Sequence, residues 1–297
     1  MLDGRKTDSG SQEGWNAMET RLSPVGRFET LLLATEGTEF SAGAEQVALG
    51  LAERCGARVY ALRVVLTNPE YEAMAPERVQ AEAEAARAYL AELGQRAGVG
   101  GVPFEGLLRH GADPYVEVVQ AAEDNRVDLI VMGRRTRSDL ARLMMGDSTA
   151  KVIGHAACSV LVVPCSCPVP SRRILVATDG SRLGDAAAVS ASELARRFDL
   201  PVTVVSVNVP GHDQARRDEA RQAIERVCQA LQGEGISVEG IQEEGRPEQV
   251  IVELAKQKQA DLIVVGSHGR TGLQRLLMGS VAERVVGQAE VAVLVVK

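Results

Sequence analysis

Asp261-Leu-Ile-Val-Val265, running straight into Gly266-Ser-His-Gly269-Arg270 and, with nine residues intervening after Gly269, into Gly279-Ser280, decides the fold. An apolar run of strand length that empties into glycines, followed by Gly-Ser opening a helical stretch, is how an α/β fold turns backbone N–H groups toward a phosphate. The same passage occurs earlier in altered form, as Asp128-Leu-Ile-Val-Met-Gly133-Arg-Arg-Thr136, continuing to Gly146-Asp147. Gly133 corresponds to Gly266 and Gly146 to Gly279 at a constant offset of 133 residues. One chain therefore carries two versions of one site.

The repeat extends outward from the glycines. Thr30-Leu-Leu-Leu-Ala-Thr-Glu36-Gly matches Arg173-Ile-Leu-Val-Ala-Thr-Asp179-Gly at an offset of 143, so the second copy is ten residues shorter between the two motifs. Half of that difference lies where Thr67 to Pro76 is replaced by Asn208 to His212. Each copy reads as five strands alternating with four helices. In the second, the expected strands are Ile174–Ala177, Val202–Val207, Ser237–Gln242, Leu262–Val265 and Ala292–Val296. The expected helices lie near Asp185–Arg197, Asp213–Gln232, Pro247–Lys258 and Val281–Gly287. Strands made almost wholly of Val, Ile and Leu between helical segments indicate a parallel sheet buried on both faces. The expected architecture is two tandem doubly wound, five-stranded, Rossmann-like α/β domains.

Pro164, Pro168 and Pro170 break the pattern between the copies. The organisation that follows is a flexible polar tail (1–26), a first domain (27–164), a linker (165–171) and a second domain (172–297). Each copy ends on an apolar strand, and pairing the two would cover two open ladders at once.

The chain has 297 residues, a net charge of −7 and 3% aromatics, with no basic run, which disfavours nucleic acid as a partner. No stretch approaches eighteen consecutive apolar residues and the N-terminus has no apolar signal core, so the expectation is a cytoplasmic protein without membrane insertion. Cys55, Cys158, Cys165, Cys167 and Cys228 form no CxxC pair and have no His at metal spacing, which reads as reduced, structural thiols. Cys165-Ser-Cys167 leaves a redox or soft-metal role open.

In an open α/β sheet, ligands sit beyond the carboxyl ends of the strands where strand order reverses. In the second copy that places Ala177, Thr178, Asp179, Val207 and the Gly266–Arg270 segment around one crevice. Gly266 and Gly269 would let the backbone take positive φ and approach phosphate oxygens. Arg270 would add a permanent charge. Ser280 stands at a helix start, where the dipole favours an anion, although Ser280-Val-Ala-Glu283 also has the form of a capping box. Asp179 suits a ribose hydroxyl or an adenine amino group, and equally an Asx turn with Gly180 or a helix cap. His268 is an exposed loop histidine with no identifiable partner for base catalysis.

In the first copy Glu36 replaces Asp179, Thr136 replaces Gly269 and Asp147 replaces Ser280. A carboxylate 4 Å from a phosphate charge costs on the order of 4 kcal/mol at an effective dielectric of about 20. Asp147 is still a good N-cap, so the helix should survive where the phosphate site does not. Arg134, Arg135, Arg137 and Arg142 would offset the charge, bind another anion or pair with Asp147.

The spacing Gly266-x2-Gly269-x9-Gly279-Ser280, with Asp179 after the first strand and the closing Val-Leu-Val-Val strand, resembles the ATP-binding class of the universal stress protein family. The resemblance runs from about Phe28 to Pro164 and from about Arg172 to Lys297, which implies a tandem member. It implies ATP, with Mg2+, as the bound nucleotide, adenosine held by Asp179 and the backbone of Val207, and Ala177 lining the pocket. Gly266, Gly269, Gly279, Ser280 and Val281 would hold the phosphates, and dimerisation would use the last strands. Domain pairing within the chain, a homodimer and a protein partner reading the nucleotide state are the implied interactions. GxxxxGK[ST] is absent and no residue is assigned as catalytic or metal-binding, which favours a regulatory stress-response protein. A slow ATPase or phosphotransferase and a pure scaffold are the alternatives.

Overall fold

The structure, a computed structural model, describes residues 26–134, 146–270 and 278–297. Thr136, Arg135, Arg137 and Arg142, singled out above, lie outside the described residues. The first domain runs β1 (Thr30–Ala34), a 3-10 turn (Glu39–Ser41), α1 (Ala42–Cys55), β2 (Arg58–Leu66), α2 (Pro69–Met74), α3 (Pro76–Val99), β3 (Phe104–Gly111), α4 (Pro114–Asp124), β4 (Leu129–Arg134), α5 (Asp147–His155) and β5 (Ser159–Pro164). The second repeats the order with β6 (Ile174–Ala177), α6 (Arg182–Phe198), β7 (Val202–Asn208), α7 (Gln214–Gly233), β8 (Val238–Glu244), α8 (Pro247–Gln257), β9 (Leu262–Gly266), α9 (Ser280–Gln288) and β10 (Ala292–Val296).

All ten strands form one sheet in the order β3-β2-β1-β4-β5-β10-β9-β6-β7-β8. Within each domain neighbouring strands are parallel. The expected pairing of the last strands is made inside the chain: β5 and β10 run antiparallel, with Val293 opposite Val162 and Val295 opposite Val160. Both domains thereby lose an open edge to each other, leaving β3 and β8 as the outer strands.

Alternation along each strand divides the apolar residues between two layers. Leu31 and Leu33 point into a layer covered by α1, α3, α6 and α7, whereas Leu32 points into one covered by α4, α5, α8 and α9. Each layer contains residues of both domains, so the core is continuous across the β5–β10 seam.

The aspartates that open the two strand motifs are structural. Asp261 is 1% exposed and accepts from the backbone N–H groups of Ser171 (2.8 Å) and Arg172 (3.0 Å); Asp128 accepts likewise from Thr30 (2.9 Å) and Glu29 (3.1 Å). Each carboxylate ties the start of the fourth strand of its domain to the entry of the first, which aligns the opposite, carboxyl ends where the loops meet.

Candidate functional site

Strand order reverses between β6 and β9, and the loops leaving these strands converge. Asp179, exposed just beyond β6, uses both carboxylate oxygens. Oδ1 accepts from the backbone N–H of Ser181 (3.0 Å), closing an Asx turn, and Oδ2 accepts from the backbone N–H of Arg270 (2.8 Å). Of the roles open to Asp179, the Asx turn is thus formed, while the cap of α6 is Ser181, whose hydroxyl accepts from Gly184 N–H at 3.2 Å. Thr178 is buried and its hydroxyl accepts from Gly180 N–H (3.1 Å), stiffening the same turn.

The glycines earn their places by close approach and not by handedness. Gly266, Gly269 and Gly279 are not among the residues at positive φ, which corrects the expectation for the first two; Gly180 is, at φ 74°. A Cβ on Gly269 would stand 2.6 Å from Asp179 Oδ2, and one on Gly266 would stand 2.9 Å from the backbone of Leu183 at the start of α6. On Gly279 a Cβ would lie 3.1 Å from the Ser267 carbonyl oxygen. That carbonyl accepts from Gly279 N–H at 2.8 Å, and Ser267 N–H donates to Val296 in β10 at 2.8 Å. Ser267, absent from the candidate residues, is therefore the hub joining the glycine loop to α9; its near-complete burial is set by chain segments that the local sequence does not reveal.

Gly279, with φ −69° and ψ 143°, is the N-cap of α9, and Ser280 is its first helical residue. No side chain caps the helix, so the capping-box reading of Ser280 and Glu283 is corrected: the hydroxyl comes one residue too late. Ser280 is exposed, and the start of α9 has no side-chain cap among the described residues. Ala177, Val207 and Val281 are half-buried and pack on the rim of the layer beneath α8 and α9, giving the crevice an apolar side.

Arg270 brings its backbone to the site, but its guanidinium is engaged. Nη1 pairs with Glu219 of α7, and Nη2 lies 2.9 Å from where a Gly180 Cβ would be. Asn208, at the end of β7, is 5% exposed and its Oδ1 has no hydrogen-bond partner among the described residues. A buried, unmatched acceptor is expensive unless something supplies a donor.

The first domain is built differently at the matching positions. Gly146 is the N-cap of α5, so Asp147 is its first residue and not its cap. The Asp147 carboxylate pairs with Lys151 at 2.7 Å. Beyond β1, Thr35 Oγ1 donates to Glu45 (3.0 Å), the Tyr89 hydroxyl donates to the same carboxylate, and Arg96 donates to it at 3.1 Å. Burial and the Glu45 carboxylate push the Tyr89 phenol up to about 12. The Tyr89 ring lies 3.4 Å from where a Gly37 Cβ would be, whereas Ala223 and Arg270 face the equivalent Gly180. Arg134 sends its guanidinium across the β5–β10 seam, as described below. Cys165 is exposed and Cys167 buried, and among the described residues no cluster of three or more His, Cys, Asp or Glu is placed to hold a metal.

Fold and crevice together define a tandem doubly wound α/β protein with a glycine-shaped loop at the switch point of its second half. The chain belongs to the universal stress protein family, whose profile matches residues 27–164 and 170–297. A universal stress protein of Methanocaldococcus jannaschii is 37% identical over 139 residues, covering 42% of this chain and 82% of that one. One from Mycobacterium tuberculosis is 30% identical over 187 residues, covering 58% of this chain and 63% of its own length. Among solved structures, a universal stress protein of Archaeoglobus fulgidus superposes with a TM-score of 0.73 over 91% of this chain and 97% of its own, at 24% identity. Among the described residues no helix is long and apolar enough to cross a membrane.

Proposed function

We propose that this universal stress protein binds ATP in the second domain and acts as a nucleotide-dependent regulator, with no catalytic step required. The observation that carries the reading is the convergence of the Asp179 turn, the Gly266–Arg270 loop and the uncapped start of α9, held by the 2.8 Å bonds from Arg270 N–H to Asp179 and from Gly279 N–H to Ser267. A helix start without a side-chain cap among the described residues, carrying an exposed hydroxyl, suits a phosphate. The half-buried Ala177, Val207 and Val281 suit a flat purine, and the Asn208 Oδ1, unmatched among the described residues, leaves an acceptor for a ligand donor.

In this reading Asp179 and the Val207 backbone hold the adenosine. Gly266 and Gly269, with the Ser280 hydroxyl and Val281 N–H, face the phosphates, while Gly279, its own N–H held by the Ser267 carbonyl, admits them by its bare backbone. Arg270 contributes charge only by exchanging Glu219 for a phosphate. Mg2+ enters with the nucleotide. Bound ligand would stabilise the fold by RT ln(1 + [L]/Kd), about 2.7 kcal/mol at a hundredfold excess over Kd. A protein partner reads that difference. A homodimer, if formed, uses surfaces other than β5 and β10, which are spent on each other.

The test is extraction of nucleotide from purified protein, followed by phosphate release over an hour. Bound ATP without turnover is the expected result. Steady release would replace this reading with the slow ATPase, and absence of any nucleotide binding by calorimetry would overturn both. The double change Gly269→Thr and Ser280→Asp, which copies the first domain, should abolish binding.

A further inference from the structure

The geometry points to Arg134, a residue of the first domain, as a positioning residue for the phosphate end of the second domain's crevice, acting through α9. The inference takes its ligand from the nucleotide reading above. Its structural half stands independently.

Arg134 is the last residue of β4 and is 7% exposed. Its guanidinium crosses the β5–β10 seam and donates to three carbonyls at the C-terminus of α9: Val286 O, Gly287 O at 2.8 Å and Ala289 O at 2.6 Å. These are carbonyls that a helix end leaves without intrahelical partners, at the negative end of its dipole. The other end of the same nine-residue helix is Ser280. At 1.5 Å per residue the two ends are about 13 Å apart, several times hydrogen-bond reach, and Coulomb attraction falls off as the inverse of that distance. Direct attraction between the guanidinium and a bound phosphate is therefore the smaller effect. The larger one is mechanical: three directed bonds from a planar, rigid fork fix how far α9 sits along its axis, and so where its first-turn amides and Ser280 stand.

The internal repeat supplies a control. Ile153, Gly154 and Ala156 in α5 and its C-cap correspond to Val286, Gly287 and Ala289 at the same offset of 133, and Ser267 stands where Arg134 does. Among the described residues the end of α5 receives one side-chain bond, from Lys297 Nζ to the Gly154 carbonyl at 3.3 Å. The strong clasp thus falls on the helix that begins with Ser280, and the weak one on the helix that begins with Asp147. The domain that lost the features of a phosphate site holds the other domain's in place.

The test uses the full chain as wild type, Arg134→Gln, Arg134→Lys and Lys297→Met, with amide hydrogen exchange and calorimetric titration of ATP and adenosine. Arg134→Gln should raise exchange across 280–288 by tenfold or more while leaving 147–155 unchanged, and weaken ATP about tenfold but adenosine less than twofold. Arg134→Lys should give about a threefold effect on each ATP-side readout, and it carries the test if the glutamine variant does not fold. Lys297→Met should disturb 147–155 alone. Unchanged exchange in α9, or equal weakening of ATP and adenosine, overturns the proposal, the latter by reducing Arg134 to a domain clamp. If the wild type binds neither ligand, the nucleotide reading fails on its own, and the exchange of α9 alone decides whether Arg134 positions it.

Discussion

At the scale of the residue, the site is a set of close approaches that a single methyl group disrupts. Gly269→Ala would put a Cβ 2.6 Å from Asp179 Oδ2, so the carboxylate must leave the Arg270 N–H. The expected cost is about 1–3 kcal/mol of stability, with ATP affinity reduced at least tenfold in calorimetry; wild-type affinity would remove the glycine from the site. In the first domain Tyr89 fills the corresponding space and hands its proton to a hydrogen bond with buried Glu45. Its folded pKa, about 12, lies above the ordinary value of 10.0, so the neutral phenol is the form the fold favours. Its contribution to stability is therefore whole below pH 10 and is lost as pH rises toward 12. Ultraviolet titration of the four tyrosines should show one ionising near pH 12, and Tyr89→Phe should delete that step. Thiol reactivity should sort in the same physical way: burial pushes Cys158 up to about 12 while Cys165 is exposed, so a colorimetric disulfide reagent at pH 8 should modify Cys165 first and Cys158 last.

At the scale of the element, helices and strands were legible wherever local chemistry decides them. Ile174–Ala177 is a strand as its run of apolar residues implies, and α7 begins after Asp213, whose side chain accepts from Arg216 N–H at 2.9 Å. The ten extra residues of the first domain hold α2, announced by Asn68-Pro69, with Asn68 capping Tyr71 N–H at 2.8 Å. The start of α9 was misread because Ser-x-x-Glu has the same letters whether the serine is the cap or the first helical residue. What separates the two is the extended backbone of Gly279, fixed by Ser267 and hence by β10. Arg134 was read as a counter-charge for its own loop, since nothing nearby in the chain reveals carbonyl partners 152 or more residues away. The pairing of Arg270 with Glu219 was hidden likewise, 51 residues upstream. The glycine positions themselves were visible, and their physical reason was not. The same logic predicts that Ser280→Ala removes no cap and leaves stability within about 0.5 kcal/mol, as for a surface change. Loss of more than about 1 kcal/mol in urea denaturation would restore the capping role.

At the scale of the whole molecule, the β5–β10 seam makes two family units behave as one body. Leu161 and Leu294 face each other in the antiparallel ladder, and both apolar layers draw residues from each domain. Two domains joined only by a linker would melt separately, each at its own temperature. Here, opening either half exposes the seam strand of the other and withdraws its cation, Arg134 or Lys297, from the partner helix end. Unfolding should therefore be a single transition whose calorimetric and van't Hoff enthalpies agree. Leu31→Ala, a fully buried change far from the seam in the first domain, should cost roughly 2–5 kcal/mol. Taking about 2 °C per kcal/mol for a chain of this size, the whole transition should move down by about 4–10 °C without splitting. Scanning calorimetry of that variant decides the matter: a second peak left at the wild-type temperature would mean that the second domain, with its crevice, stands without the first.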